Sequence, residues 1–157
     1  MTARTPAMQA LEKAGISFEV LLYNYKSDQH HIGQYAAEAI GELPHRVLKT
    51  LMIEVDGQAG CVVLPVDKNL SMKRVAAAFQ GKSSQLMKAE KAERFTGYHV
   101  GGISPFGQKK RVSVVFDEKV IHEPYVIING GQRGVLLKLH PQDAVAFLGA
   151  KIDGIID

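Results

Sequence analysis

A chain of 157 residues is long enough to close one sizeable apolar core and gives no reason to expect more than a single domain, residues 1–157. With 46% apolar and 22% charged residues it is not a largely disordered protein, and it has no run near the roughly 18 apolar residues that a membrane helix needs. The net charge of +3 permits an anionic partner without demanding one, and the stretch Met1–Gln9 lacks the apolar core and cleavage pattern of a secretory signal, so a cytoplasmic protein is expected.

Thr5-Pro6 followed by Ala7, Met8, Leu11 and Glu12 reads as a capped amphipathic helix, with Pro6 in its first turn and Gly15 just past its end. Ile16 to Tyr25 is apolar and aromatic enough for a strand. His30-His31-Ile32 then leads into a short alanine-rich helix, Gln34 to Ile40, closed by Gly41. After the break at Pro44-His45, Val47 to Val55 is a strong strand, and the turn Asp56-Gly57 joins it to a second, Gly60 to Val66. Cys61, the lone cysteine, cannot form an internal disulfide and reads as a small buried hydrophobe of that second strand. Ser71 is placed to cap a helix from Met72 to Phe79 that Gly81 ends, and Lys88 to Phe95 reads as another, closed by Thr96-Gly97. Strands are expected at Arg111 to Phe116, Tyr125 to Asn129 and Val135 to Leu139. Pro141 starts a last helix, Gln142 to Leu148, which Gly149 ends, and Ile152 to Ile156 is extended. No repeat, low-complexity segment or linker divides the chain.

The stretch Gly97 to Phe116 stands out. Gly97, Gly101, Gly102 and Gly107, with Pro105 between them, make a loop whose backbone N–H groups can approach a ligand closely in a fixed shape. Lys109, Lys110 and Arg111 follow directly, so the natural guest is an anion or a carbonyl oxygen that gains negative charge. A glycine-rich connection with its cations on a solvated face has the same composition. A second glycine-rich connection, Gly130-Gly131-Gln132-Arg133-Gly134, could sit at the same end of one sheet or barrel.

Lys49 is the anomaly of its strand. Flanked by Val47, Leu48, Leu51, Met52 and Ile53, its ammonium either snorkels to solvent at one face or serves a pocket, where phosphate or ribose would be its partner.

Common catalytic signatures are missing. The chain carries no paired-cysteine spacing, no His-Glu-x-x-His, no P-loop and no G-x-S-x-G elbow. Its histidines are scattered, with only His30 and His31 adjacent, and no carboxylate pair has acid and base spacing, so neither a metal nor a cofactor is expected. An enzyme built from these residues would rely on backbone donors and a positioned cation, with substrate or water supplying the attacking atom.

Tyr23, His31-Ile32-Gly33, Val47-Leu48-Lys49-Thr50-Leu51, Asp67-Lys68-x-Leu70, Thr96-Gly97-Tyr98-x-Val100-Gly101-Gly102-Ile103-Ser104-Pro105-x-Gly107 and Gly130-Gly131-x-Arg133-Gly134 together closely resemble the YbaK/EbsC family. These are free-standing relatives of the editing domain inserted in bacterial prolyl-tRNA synthetases, and the resemblance runs in order over essentially the whole chain. It implies an α+β fold, a mixed, barrel-like sheet surrounded by short helices, and an activity that removes cysteine from mischarged tRNA(Pro). It carries the family's strand lysine onto Lys49, followed by Thr50, and its Gly-x-x-x-Pro loop onto Gly101 and Pro105, with Gly102 and Ser104 between. The aromatic pocket residue falls on Tyr23, a position often held by Phe is Ile32, a pocket serine is replaced by Asn129, and the late aspartate is Asp143. Ile32 and Asn129 change the size and polarity of that pocket. By the same resemblance the thiol of the cysteine substrate attacks the ester and leaves as a thiolactone, and a transient complex with prolyl-tRNA synthetase supplies tRNA identity. Lys109, Lys110 and Arg111 would follow the acceptor stem, with no membrane or DNA partner expected. A deacylase for alanine or serine that uses water, and a non-catalytic module that binds an aminoacyl or adenylate end, share the same features.

Overall fold

The two longest strands pair with each other. In the computed structural model, which describes residues 4–26 and 31–157, β2 (Leu48–Val55) and β3 (Gln58–Pro65) form an antiparallel hairpin with Leu48 opposite Pro65 and Val55 opposite Gln58. Asp56 and Gly57 take φ of 50° and 83°, the two left-handed residues that a type I′ turn requires. Alternation then feeds two cores: Leu48, Met52, Cys61 and Val63 enter one, and Ile53, Val55 and Val62 the other. Each fully buried aliphatic side chain of this hairpin stabilises the fold by about 1.5–3 kcal/mol, and truncating Leu64 to Ala should cost about 2–5 kcal/mol.

The hairpin is the centre of a five-stranded mixed sheet. Its order is β4 (Ser84–Leu86), β2, β3, β5 (Ser113–Asp117), β8 (Lys151–Asp153), with β5 parallel to both β3 and β8. An antiparallel three-stranded sheet, β1 (Glu19–Leu22), β7 (Val135–Leu139), β6 (Val126–Asn129), lies beside it. The two meet at a parallel bridge between Val47 and Ile127, so the barrel-like expectation takes the form of two sheets joined along β2 and β6.

Among the described residues, five α-helices pack on this frame. α1 (Pro6–Lys13) buries Ala7, Met8 and Leu11 in the larger core, and α2 (Ile32–Ala39) sets Ala36 and Ala37 against Val47, Ile127 and Leu136. α3 (Met72–Ala78) buries Val75 and Ala78 against Ile53 and Val115. α4 (Ala89–Thr96) and α5 (Pro141–Leu148) contribute Ala92 and Ala144 to the larger core. None of the described helices is long and apolar enough to cross a membrane.

Several boundaries differ from expectation for identifiable reasons. The first strand begins at Glu19, not Ile16, because the Ile16 N–H is used in closing α1 on the Leu11 carbonyl at 2.9 Å. The strand expected from Arg111 begins at Ser113, because the Lys109 and Lys110 N–H groups donate to the Thr96 and Phe95 carbonyls and tie the basic cluster to the end of α4. β4 and the 3₁₀ turns at Pro44–Arg46 and Glu118–His122 were not expected: each is too short to carry a periodic signal.

The two glycine-rich loops do sit together. A Cβ on Gly102 would lie 2.7 Å from the Gln132 carbonyl carbon and the Arg133 nitrogen, so backbone packs on backbone there. The start of α1 seals the same junction: Thr5 Oγ1 caps the helix by accepting from Met8 N–H at 3.1 Å and donates to the Gly130 carbonyl at 2.6 Å.

Candidate active site

β2 is paired along its whole length with β3, but its other edge is covered only towards the ends. β4 pairs with Ile53 to Val55, the Met87 N–H donates to the Met52 carbonyl at 3.0 Å, and Val47 bridges Ile127. Between those points the edge from Leu48 to Leu51 borders a cleft of about 490 Å³. Successive side chains of a strand leave opposite faces, yet Lys49 and Thr50 both line this cleft, because it opens along the edge and not on one face.

Tyr23 and Tyr25 reach the cleft from the segment after β1, His31 and Ile32 from the start of α2, and Asn129 from the end of β6. Gly101 and Val100 reach it from the first glycine loop, and much of the remaining wall is apolar, including Leu48, Met52, Met87 and Ile103. His30, the neighbour of His31 in sequence, lies outside the described residues. Tyr23 stands edge-on to Tyr35 with ring centroids 6.1 Å apart and 6.5 Å from Tyr25, and burial, reinforced by Tyr25, raises its phenol above the ordinary value.

Two polar groups in this wall lack partners among the described residues. Lys49 is half-buried and makes no hydrogen bond or ion pair among the described residues; burial pulls its pKa below 10.5, with the charge of Asp67 opposing. Thr50 is 7% exposed, and its Oγ1 is a buried hydroxyl with no hydrogen-bond partner among the described residues. An unsatisfied hydroxyl of that kind costs about 1–3 kcal/mol, whereas the half-buried Lys49 ammonium keeps access to solvent and to whatever enters the cleft.

The expected residues divide into two groups. Tyr23, Ile32, Lys49, Thr50, Gly101 and Asn129 converge on the cleft. Gly102 is buried and does not line it, and its N–H is occupied by the His99 carbonyl at 2.9 Å. Ser104 is fully buried with its hydroxyl accepting from Phe106 N–H at 3.2 Å, while Pro105 lines a separate hollow beside Ala10 and Phe147. Asp143 is an exposed residue in the first turn of α5, away from the cleft lining. Lys109, Lys110 and Arg111 are exposed and also outside it; the Lys110 ammonium lies 4.8 Å from the centre of the Phe95 ring.

Tyr25, His31, Val100 and Met87 join the wall without having been expected as site residues. Tyr25 had a signal, since residues two apart on an extended chain share a face and Tyr23 was already placed in the pocket. Among the described residues the cleft wall contains no serine, cysteine or carboxylate. Cys61 is fully buried in the hairpin, and burial pushes its thiol up to about 12, with Gln108 Nε2 3.9 Å from the sulfur. No group of three or more metal-ligating side chains occurs among the described residues.

Comparison with known proteins matches residues 28–147 to the family described as the aminoacyl-tRNA editing domain. A candidate Cys-tRNA(Pro)/Cys-tRNA(Cys) deacylase, EbsC of Enterococcus faecalis, is 29% identical over 141 residues, covering 88% of this chain and 85% of its own length. Among solved structures, a candidate trans-editing enzyme for prolyl-tRNA synthetase superposes with a TM-score of 0.85 at 22% identity, over 97% of this chain and 95% of that one. The hypothetical protein APE2540 gives the same TM-score at 24% identity, over 97% and 99%. These two likenesses speak to the fold.

Proposed function

We propose that this chain, which belongs to the aminoacyl-tRNA editing domain family, acts in trans as a deacylase that removes mischarged cysteine from tRNA(Pro). The observation that carries the reading is the pairing of Lys49 and Thr50, two polar groups without described partners, at the open edge of β2 in a largely apolar cleft that Gly101 also lines. The likeness to EbsC supports cysteine as the amino acid, and the likeness to the trans-editing structure supports the same general task.

In this reading the Lys49 ammonium holds the terminal nucleotide through its phosphate or ribose, and the Thr50 hydroxyl takes a hydrogen bond from substrate. Tyr23 and Ile32 enclose the amino-acid side chain and Asn129 offers an amide to its polar end. The cysteine sulfur attacks its own ester carbonyl carbon, the carbon–oxygen bond to the ribose breaks, and the thiol proton ends on the released ribose hydroxyl. The product is a cyclic thiolactone, which water opens to cysteine. The oxyanion formed on the way is met by the Gly101 N–H; such donors contribute about 2.7–4 kcal/mol each. No side chain need act as nucleophile, which suits a wall that carries no cysteine, serine or carboxylate among the described residues.

Lys109, Lys110 and Arg111 follow the acceptor stem outside the cleft, and prolyl-tRNA synthetase, met transiently, selects the tRNA. The test is a deacylation panel with cysteinyl-, alanyl-, seryl- and prolyl-tRNA at catalytic amounts of protein. Preferential turnover of cysteinyl-tRNA supports the proposal; equal turnover of alanyl-tRNA would favour water as nucleophile, and stoichiometric binding without turnover a non-catalytic module.

A further inference from the structure

The peptide that joins Val100 to Gly101 is gripped by its carbonyl. Arg133 Nε donates to the Val100 carbonyl oxygen at 2.8 Å, and the guanidinium carbon lies 5.2 Å from the centre of the Tyr25 ring. Gly101 packs on that ring too, since a Cβ there would stand 3.0 Å from two of its carbons. On the other side of Val100, its own N–H donates to Glu93 Oε2 at 2.8 Å. Charged side chains thus hold both polar groups of Val100.

The Val100 carbonyl and the Gly101 N–H belong to one planar trans peptide and point in opposite directions. Holding the oxygen therefore fixes the direction of the N–H, which has no hydrogen-bond partner among the described residues and belongs to a residue that lines the cleft. A charged donor on the carbonyl also polarises the peptide and strengthens the N–H as a donor. The neighbouring Gly102 N–H is already used within the loop, which leaves Gly101 as the donor of the pair with no partner among the described residues.

We propose that Arg133 is a positioning residue of the deacylase: seated between the Val100 carbonyl and the Tyr25 ring, it aims and polarises the Gly101 N–H for the carbonyl oxygen of the aminoacyl ester. The inference rests on the deacylase reading above. It assigns Arg133 a task that a phosphate-binding arginine would not have, and the shape of the guanidinium matters as much as its charge.

Two measurements on Arg133→Ala and Arg133→Lys test it. In single-turnover deacylation at saturating cysteinyl-tRNA both variants should lose about 10- to 100-fold in rate, with less than about threefold change in half-saturating concentration. If instead Arg133→Ala weakens tRNA binding in a salt-dependent way and Arg133→Lys restores it, Arg133 binds phosphate and the proposal is wrong. The second readout needs no substrate: in ¹⁵N-labelled protein the Gly101 amide should shift upfield in nitrogen in both variants, while the amides of Gly57 and Gly149 stay in place. An unmoved Gly101 amide overturns the positioning role even if deacylation stands, whereas absence of deacylation by the unmodified protein, with the amide shift as expected, refutes only the deacylase reading. Should Arg133→Ala fail to fold, Arg133→Lys carries both readouts.

Discussion

Lys49 and Thr50 are consecutive residues of β2 that leave opposite faces of the strand and meet again at one cleft, because the strand edge they share has no strand partner among the described residues. The Thr50 hydroxyl has no hydrogen-bond partner among the described residues and the Lys49 ammonium is half-buried, and removing either should separate function from stability. Lys49→Met should lower deacylation by at least about 100-fold while leaving the protein folded. Burial holds the folded-state pKa of Lys49 below 10.5, so the unfolded chain binds more protons as pH approaches that value from below, and stability due to Lys49 rises with pH across that window. Denaturation at several pH values should show this rise in the parent protein minus Lys49→Met. A folded Lys49→Met protein with near-normal turnover would return Lys49 to a snorkelling role.

Thr50→Val keeps the shape and removes the orphaned hydroxyl. It should stabilise the protein by up to about 1 kcal/mol in urea denaturation and at the same time reduce deacylation. Loss of stability on this substitution would mean that the hydroxyl is satisfied in solution.

Gly101→Ala places a methyl 2.5 Å from the Tyr25 phenol oxygen on a residue with φ of 97°, a region that side chains rarely adopt. The expected result is a fall of about tenfold or more in the single-turnover rate with a smaller effect on tRNA affinity, measured by filter binding. Poorer binding with an unchanged rate would make the loop a phosphate cradle only.

The hairpin of β2 and β3, its turn and most of the helices were legible, because long apolar runs, a capping serine before Met72 and glycines after Lys13 and Leu148 are local signals. Lys49 was legible as an intruder in such a run. The cleft itself was not: it exists because β4 stops short along β2 and Val47 crosses to Ile127, a long-range arrangement with no local pattern. The same limit applies to the loop residues. Gly101 and Gly102 look alike in sequence, and only the fold reveals that the Gly102 N–H is spent on the His99 carbonyl while that of Gly101 has no partner among the described residues.

Lys109 and Lys110 are exposed and lie outside the cleft lining, so their effect should be electrostatic. Replacing both with Ala should weaken tRNA binding, flatten the dependence of log K on log salt by about 0.7–0.9 for each phosphate no longer neutralised, and leave the saturating single-turnover rate little changed. A large loss of rate at saturation would move the cluster into the catalytic machinery.

Cys61 should be dispensable for turnover. With its thiol pushed from 9.0 up to about 12, the folded chain keeps a proton that the unfolded chain loses above pH 9, so this residue lowers stability as pH rises from 9 towards 12, by up to about 1.4 kcal/mol per pH unit. Cys61→Ala should deacylate normally and show a shallower alkaline decline in urea denaturation. Loss of activity in a folded Cys61→Ala protein would point to a protein nucleophile.

The most direct test of substrate-assisted cleavage compares two substrates that differ in one atom. Cysteinyl-tRNA(Pro) and seryl-tRNA(Pro) differ only in carrying sulfur or oxygen at one side-chain position, and only the thiol is a competent nucleophile at neutral pH. Under single-turnover conditions the cysteinyl ester should be cleaved far faster, and the amino acid should first appear as a thiolactone that a nucleophilic trap captures. Equal rates for the two esters, or cysteine released with no trappable thiolactone, would contradict attack by the substrate's own sulfur.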